Sequence, residues 1–172
     1  GITFISGSTV VGKSTMVRQL SIAVVTEEVE YLGRVLSPTY RSVIYVSTED
    51  DLYSISPKIK RESDFFSSGG QYGNLRFIFD YEKILEKLKR EFDRQPADCI
   101  ILDSFGDIYG GDVNNPTETR RFMNEYKSFS DEAGCAIVFI HHNRKIAKGN
   151  PDKHDLLGSM ALEAKARSVL ML

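Results

Sequence analysis

The sequence predicts an α/β domain with a mainly parallel sheet, and two observations lead to this prediction. Short apolar runs alternate with segments of helical periodicity along the whole chain. Several of these runs are continuously apolar, which is typical of strands covered by helices on both faces. The length of 172 residues and the hydrophobic fraction of 41% suit one domain with its own core, so we predict a single domain over residues 1–172.

The elements follow one another in a regular order. Strands are predicted at 2–6, 43–47, 75–79, 99–102, 136–140 and 168–172, and helices at 13–28, 52–62, 81–94 and 117–133. In the third helix Tyr81, Ile84, Leu85 and Leu88 recur at helical spacing, which indicates a face packed on the core. Three segments stay unassigned, at 67–74, 106–118 and 143–155. The last two leave the carboxyl ends of strands, where ligands of open α/β sheets bind.

Composition excludes several classes of protein. The net charge of −2 gives no overall cationic field for nucleic acid, although a local basic loop is still compatible with it. Two cysteines are too few for a disulfide scaffold, and both adjoin apolar runs, so we expect buried free thiols and a reducing, cytoplasmic location. No apolar run approaches the roughly 18 residues of a membrane span, so no membrane partner is expected. The chain starts on a strand and stops inside "SVLML", and we expect both termini to be trimmed.

The first predicted strand runs into "GSTVVGKS", which matches the phosphate-binding pattern G-x-x-x-x-G-K-[ST] (the P-loop, or Walker A motif). Glycines let backbone N–H groups surround a phosphate, and the helix that follows adds its positive dipole end. A chance glycine loop before a helix is the alternative, but the strand before and the helix after are both present. The predicted ATP-binding residues are Gly7, Ser8, Thr9, Val10, Val11, Gly12, Lys13, Ser14 and Thr15.

Two acidic residues follow other predicted strands. Asp103 ends the strand "CIILD", where it is suited to hold Mg²⁺ together with the Ser14 hydroxyl, the Walker B role. Glu49 lies just past the strand "VIYVS" and is a candidate for orienting the attacking water. A role at the start of the next helix is the alternative for Glu49. That role is the expected one for Asp50 and Asp51, which we assign to the first turn of that helix.

Two adjacent histidines end the fifth strand. Alternation places Ile137, Phe139 and His141 on one side of it, and Val138, Ile140 and His142 on the other. One histidine is therefore expected to face the nucleotide while the other packs elsewhere. A single histidine at such a place is more often structural, but a tandem pair beside a P-loop favours a sensor of the γ-phosphate.

The order of the motifs resembles the RecA-like ATPase core, most closely the branch with RepA-type hexameric replicative helicases and AAA-type ATPases of phages and plasmids. The likeness rests on the P-loop, "YVSTED", "ILDS", "HHNRK" and "GSMALEAKARSVLML", and it covers nearly the whole chain. It implies a three-layer RecA-like P-loop NTPase core and Mg²⁺-dependent ATP hydrolysis. It also implies a homo-oligomer, a hexameric ring with sites shared between subunits, acting on single-stranded DNA or with a replication protein.

The resemblance also implies individual roles. Glu49 matches the glutamate that activates water, and His141 matches the sensor at the end of its strand. Arg167 falls where this branch has an arginine finger that reaches the adjacent subunit's site, against the alternative of a solvated residue at the start of the last strand. Lys58 falls near a position that touches the base.

Departures from the family concern the loops that would line a central channel and touch DNA. The loop after the fourth strand carries Asp107, Asp112 and Glu118 and no basic residue before Arg120. The loop after the fifth strand carries a basic cluster suited to phosphates, or else it is an ordinary solvated loop. Its members are Arg144, Lys145, Lys148 and Lys153.

Three functions therefore remain open. The first is a DNA-dependent ATPase of helicase or replication type, and the second is an ATP-driven switch or loader that acts on a protein partner without unwinding. The third is a P-loop kinase for a small molecule. It is disfavoured because Glu49 and "HHNRK" suit water and γ-phosphate sensing better than an acceptor pocket.

Overall fold

A computed structural model describes residues 1–8, 10–26, 28–66, 72–113, 115–142, 162 and 166–172 of the chain. Strands and helices alternate along these residues as the sequence predicts. The strands are β1 (Ile2–Gly7), β2 (Glu30–Tyr31), β3 (Arg34–Val35), β4 (Val43–Ser47), β5 (Leu75–Ile78), β6 (Cys99–Asp103), β7 (Ala136–His142) and β8 (Ser168–Met171). The helices are α1 (Lys13–Val25), α2 (Leu52–Ser63), α3 (Ile84–Arg94), α4 (Phe105–Tyr109) and α5 (Pro116–Ala133).

Six of these strands form one sheet in the order β5-β4-β6-β7-β1-β8, and every neighbouring pair is parallel. The carboxyl ends of all six strands therefore lie at one edge of the sheet. The strand β7 separates β1 from β6, with Gly7 beside His142 and Asp103 beside Ile140. β2 and β3 form a separate antiparallel pair, which contacts α1 through a hydrogen bond from the Tyr31 hydroxyl to the Met16 carbonyl (2.8 Å).

Helices cover both faces of the sheet, because alternate strand residues carry apolar side chains to opposite sides. On one face the sheet packs against α1 and α2 through residues that include Val17, Ile55 and Tyr45. On the other face it packs against α3, α4 and α5 through Leu88, Phe105, Tyr126 and others. The result is the three-layer α/β architecture of a RecA-like P-loop core, as predicted.

All six sheet strands predicted from the sequence are confirmed, with ends that shift by one or two residues. The predicted alternation in β7 is also confirmed. Ile137 and Phe139 pack on the α3–α5 face, whereas Val138 and Ile140 pack on the α1–α2 face.

Several helix boundaries differ from the prediction. The helix predicted at 13–28 ends at Val25, and the one predicted at 81–94 begins only at Ile84. The residue before Ile84, Lys83, has a left-handed backbone (φ 50°), so the helix cannot extend back to Tyr81. Tyr81 is 40% exposed and lies outside the packed face to which its spacing assigned it.

The prediction that Asp50 and Asp51 lie in the first turn of a helix was wrong. Asp51 is instead the N-cap of α2: its carboxylate accepts a hydrogen bond from the Ser54 N–H, and the Ser54 hydroxyl accepts one from the Asp51 N–H. Asp50 forms an ion pair with Lys58 (2.6 Å). This capping box fixes where α2 begins, directly after the Glu49 turn.

The segment 106–118, unassigned from sequence, contains two helical elements. α4 is a short helix that ends at Gly110, whose left-handed backbone (φ 61°) terminates it. The side chain of Asn115 caps α5 by accepting from the N–H groups of Thr117 and Glu118, and Pro116 occupies the first helical position. Phe105 anchors α4 because its fully buried ring contacts the rings of Phe4 and Phe139.

Both cysteines are free and buried, as predicted. Burial raises the pKa of the Cys99 thiol to about 12 and that of the Cys135 thiol to about 11, so both stay protonated at neutral pH. No helix within the described ranges combines the length and apolar character needed to cross a bilayer.

A buried ion pair joins α1 to α2. The Arg18 guanidinium donates to both carboxylate oxygens of Glu62 at 2.7–3.2 Å, and both side chains are nearly inaccessible. Burial opposes the charge of Arg18, but the hydrogen bond to Glu62 and nearby negative groups leave its pKa raised. Removing one member would leave the other charge buried and unpaired.

We expect Glu62→Ala to lower the free energy of unfolding by about 3–5 kcal/mol, which at about 2–4 °C per kcal/mol lowers the melting temperature by roughly 6–20 °C. Thermal unfolding measures this change. The matched control is Glu125→Ala, which breaks the exposed Arg121–Glu125 pair (3.7 Å) and should change stability by less than about 1 kcal/mol. Equal, small losses in both variants would contradict a stabilising role for the buried pair.

Candidate active site

Four neighbouring strands bring the predicted catalytic groups to one edge of the sheet. In sheet order β4, β6, β7 and β1, the strand ends lead to Glu49, Asp103, the His141–His142 pair and the P-loop. These residues are far apart in sequence, and they meet because parallel strands end at the same edge. This edge is where open α/β sheets bind ligands.

The two P-loop glycines, Gly7 and Gly12, are required for different reasons, the first for space and the second for backbone conformation. A Cβ on Gly7 would lie 2.5 Å from the Leu172 carbonyl oxygen, so a side chain there is excluded by crowding. Gly12 has open space around it, but its backbone is left-handed (φ 87°), which side chains disfavour. Gly12 is also the N-cap of α1, and no described side chain caps that helix. The first N–H groups of α1 are therefore available to a phosphate.

Lys13 is buried at the base of this loop, where its ammonium donates to the carbonyls of Gly7 (2.9 Å) and Ser8 (2.6 Å). Burial lowers the pKa of Lys13, whereas the negative charges of Asp103 and Glu49 act in the opposite direction. The Lys13 ammonium therefore interacts electrostatically with both carboxylates. Asp103 ends β6, and Glu49 lies on the turn just after β4. This electrostatic coupling links the P-loop to the two predicted acidic groups.

Asp103 is 8% exposed, and its Oδ2 accepts a hydrogen bond from the Tyr45 hydroxyl (2.7 Å). Within the described residues no group of three or more histidine, cysteine or acidic side chains forms a metal cage. Mg²⁺ is ordinarily held by one or two carboxylates with hydroxyl, phosphate and water oxygens. One carboxylate from Asp103 and one hydroxyl from Ser14 fit this donor chemistry, so these two residues would hold Mg²⁺.

Glu49 lies on a short turn between β4 and α2, and hydrogen bonds on both sides of it fix this turn. The Thr48 N–H donates to the Asp103 carbonyl (2.7 Å), and the Asp50 N–H donates to the Ser47 hydroxyl (3.2 Å). The Glu49 side chain itself is 67% exposed. A fixed backbone with an accessible carboxylate is suited to positioning a water molecule.

The two histidines have different neighbours. His142 Nε2 lies 3.6 Å from Glu49 Oε1, whereas His141 has its ring edge against Phe105, with ring centroids 5.6 Å apart. Burial, followed by the charges of His142 and Lys13, lowers the pKa of His141 to about 4, so His141 is neutral at pH 7. The structure thus brings His142 and not His141 to Glu49.

Three ring nitrogens of this histidine pair are buried and lack a hydrogen-bond partner among the described residues. They are Nδ1 of His141 and both nitrogens of His142. Buried polar atoms normally have partners. The residues that directly follow this pair, 143–161, lie outside the described residues.

Arg167 lies at the opposite edge of the sheet. Its N–H donates to the Ile2 carbonyl (2.8 Å) immediately before β8, which pairs with β1 from Thr3 onward. The P-loop begins five residues further along β1, which at about 3.3 Å per residue is roughly 16 Å away. An arginine side chain does not span that distance, so Arg167 cannot reach the P-loop of its own chain.

Several predicted residues lie outside this description. Thr9 of the P-loop and the basic cluster Arg144, Lys145, Lys148 and Lys153 are not among the described residues. Lys58, by contrast, is among the described residues, and its ammonium forms an ion pair with the Asp50 carboxylate (2.6 Å). The Tyr45–Asp103 bond and the Arg18–Glu62 pair were not predicted from the sequence. No motif marks them, because the partners lie 58 and 44 positions apart in the chain.

Comparison with known proteins agrees with this geometry. The family model described as AAA domain matches residues 1–148, which include the P-loop, Glu49, Asp103 and both histidines. No curated protein matches the chain significantly.

Proposed function

Because the chain belongs to the AAA domain family of P-loop ATPases, we propose that it hydrolyses ATP with Mg²⁺ as a DNA-replication or helicase-type motor. In this proposal its sites are shared between the subunits of a ring. One observation carries the hydrolytic part: parallel strands bring Lys13 after β1, Asp103 at the end of β6 and Glu49 after β4 to one edge of the sheet. Binding alone needs the lysine and the metal ligand, whereas an additional accessible carboxylate suits the attack of water.

Each residue has a defined task in the proposed reaction. The P-loop N–H groups and Lys13 bind and orient the phosphates, and Ser14 and Asp103 hold the metal. The metal held by Ser14 and Asp103 would supply positive charge to neutralise the phosphates. Glu49 accepts a proton from, or orients, the attacking water, and His141 contacts the γ-phosphate as a neutral imidazole. Catalysis then consists of positioning and charge stabilisation.

The position of Arg167 supports shared sites. It is exposed at the amino-terminal edge of the sheet, too far from its own P-loop to act there. An arginine finger at this position would serve the site of a neighbouring subunit. We propose a homo-oligomer, a hexameric ring by the family resemblance, with single-stranded DNA contacted by Arg144, Lys145, Lys148 and Lys153, and with a replication protein as a further partner.

A second candidate function is an ATP-driven switch or loader that acts on a protein partner and unwinds nothing. The observation that favours it is the acidic character of the loop and helix start after β6. Asp107, Asp112 and Glu118 are all exposed there, and such a surface repels the phosphates of DNA.

Measurement of ATPase rate against protein concentration, with and without single-stranded DNA, distinguishes the two. For the motor we expect turnover that rises more steeply than protein concentration and that DNA stimulates several-fold. Slow turnover that is indifferent to DNA, together with nucleotide-dependent oligomerisation, would support the switch instead. A rate strictly proportional to protein concentration, from a monomer, would contradict shared sites.

A further inference from the structure

Tyr45 is a buried tyrosine that no motif marks. It lies in the middle of β4 with no exposed surface, on the face that packs against α1 and α2. Its ring packs in the apolar core cluster of that face, which includes Phe77, whose ring centroid lies 5.4 Å away. A hydroxyl in such surroundings needs a hydrogen-bond partner, and that of Tyr45 donates to Asp103 Oδ2 at 2.7 Å.

The register of the sheet explains why the tyrosine reaches this carboxylate. Tyr45 pairs with Ile101 on β6, and Asp103 lies two residues further along the same strand. Residues two apart on a strand share a face, so both side chains lie on the α1 side. A diagonal cross-strand neighbour is within reach of an aromatic side chain but not of a short polar one. Tyrosine is therefore the residue type that places a hydroxyl on Asp103 from this position.

The Tyr45 hydroxyl donates a hydrogen bond to one of the two oxygens of the Asp103 carboxylate. A hydrogen bond to Oδ2 restrains the rotation of the Asp103 side chain, and Oδ1 would then be the oxygen that holds Mg²⁺.

Arg18 lies close enough to the Tyr45 hydroxyl to interact with it electrostatically. Arg18 lies one helical turn after Ser14 on α1, donates to the Thr15 hydroxyl (3.2 Å), and is held by Glu62 of α2. An electrostatic interaction thus joins the Arg18–Glu62 pair to the Tyr45–Asp103 bond. Asp103 belongs to this buried group, and Ser14 lies on the same helix as Arg18.

We propose that Tyr45 is a positioning residue for Mg²⁺: its hydroxyl orients the Asp103 carboxylate. This inference rests on the proposed function, which assigns Asp103 to the metal. Hydrogen-bond partners behind a metal ligand typically change metal affinity roughly 10-fold to 100-fold when they are removed. A tyrosine that only fills the core would leave metal affinity unchanged.

The test is Tyr45→Phe, which keeps the ring and removes only the hydroxyl. Binding of a fluorescent ATP analogue is titrated with Mg²⁺ and repeated in EDTA, so that no turnover is needed. We expect the midpoint for Mg²⁺ to rise roughly 10-fold to 100-fold, while affinity in EDTA is unchanged. Tyr126→Phe is the matched control, because Tyr126 is also buried but packs on the other face of the sheet against Phe139. It should leave the midpoint where it is.

A double-variant cycle separates positioning from a general loss of structure. If Tyr45 acts through Asp103, then Tyr45→Phe combined with Asp103→Asn should bind Mg²⁺ no more weakly than Asp103→Asn alone. Additive losses would overturn the inference. So would a Tyr45→Phe protein whose melting temperature falls while its Mg²⁺ midpoint stays at the wild-type value.

The same data distinguish failure of this inference from failure of the proposed function. A midpoint that shifts in Asp103→Asn but not in Tyr45→Phe overturns the role of Tyr45 and leaves the metal site intact. Nucleotide binding that is indifferent to Mg²⁺ in the wild type and in Asp103→Asn alike overturns the metal site itself, and the role of Tyr45 with it.

Discussion

Replacing Glu49 by glutamine is expected to lower ATP turnover about 10²-fold to 10⁴-fold, the usual contribution of a general base, while nucleotide binding stays near the wild-type value. Glutamine keeps the size of the side chain but cannot accept the proton of the attacking water. The P-loop, Lys13 and Asp103 are untouched, and the Glu49 turn is held by backbone and side-chain bonds of Thr48 and Asp50. The variant should therefore fold and bind normally.

The measurement is steady-state ATPase rate beside equilibrium binding of a fluorescent ATP analogue. Glu86→Gln is the matched control, because Glu86 is an exposed glutamate on α3, a helix on the opposite face of the sheet from α1. If Glu49→Gln retained turnover, the water would be oriented by a different group. Asp107 would be the next to test, because its carboxylate accepts from the hydroxyls of Thr48 and Ser104 beside the site.

Arg167→Ala is expected to lower turnover about 10³-fold or more, the effect of an arginine finger on phosphoryl transfer, again without loss of nucleotide binding. The guanidinium would stabilise transition-state charge on the γ-phosphate of a neighbouring subunit. Its distance from the P-loop of its own chain excludes the same effect within one subunit. Arg34→Ala, at an exposed arginine of the β2–β3 pair, is the control and should retain its activity.

Mixing two inactive variants tests whether the arginine acts between subunits. A ring that contains Arg167→Ala and Glu49→Gln subunits has interfaces at which an intact Glu49 site faces an intact Arg167. We expect activity to reappear in such mixtures and to depend on the mixing ratio. Mixtures as inactive as their components, although they co-assemble, would be evidence against a shared site. If the Arg167→Ala protein alone showed normal turnover, Arg167 would have no catalytic role and would be an exposed residue at the edge of the sheet.

The sequence by itself determined the sheet strands and the phosphate cradle, because both depend on local order. Short apolar runs predicted all six sheet strands, and several of these runs are continuously apolar, as is typical of strands covered on both faces. The P-loop was recognisable because its glycines, lysine and serine are contiguous in the chain. The carboxyl ends of strands then predicted Asp103 and Glu49 at one edge, as parallel topology requires.

Local backbone conformation limited how far this prediction reached. The apolar spacing correctly predicted the helix from Ile84 onward, but it also included Tyr81. The left-handed backbone of Lys83 makes α3 begin three residues after Tyr81. Asp51 proved to be a cap rather than a first-turn residue, because its side chain competes for the N–H of Ser54. Such choices depend on single dihedral angles, which periodicity does not record.

Only the tertiary structure decided which distant side chains meet. Strand alternation predicted that His141 and His142 lie on opposite faces of the sheet. Only the order of β4, β6 and β7 in the sheet explains why His142 lies beside Glu49. The bond from Tyr45 to Asp103 likewise depends on the register of β4 against β6. The location of Arg167 depends on β8 pairing with the far side of β1. Strand order and register arise from the packing of the whole chain, so no short stretch of sequence contains them.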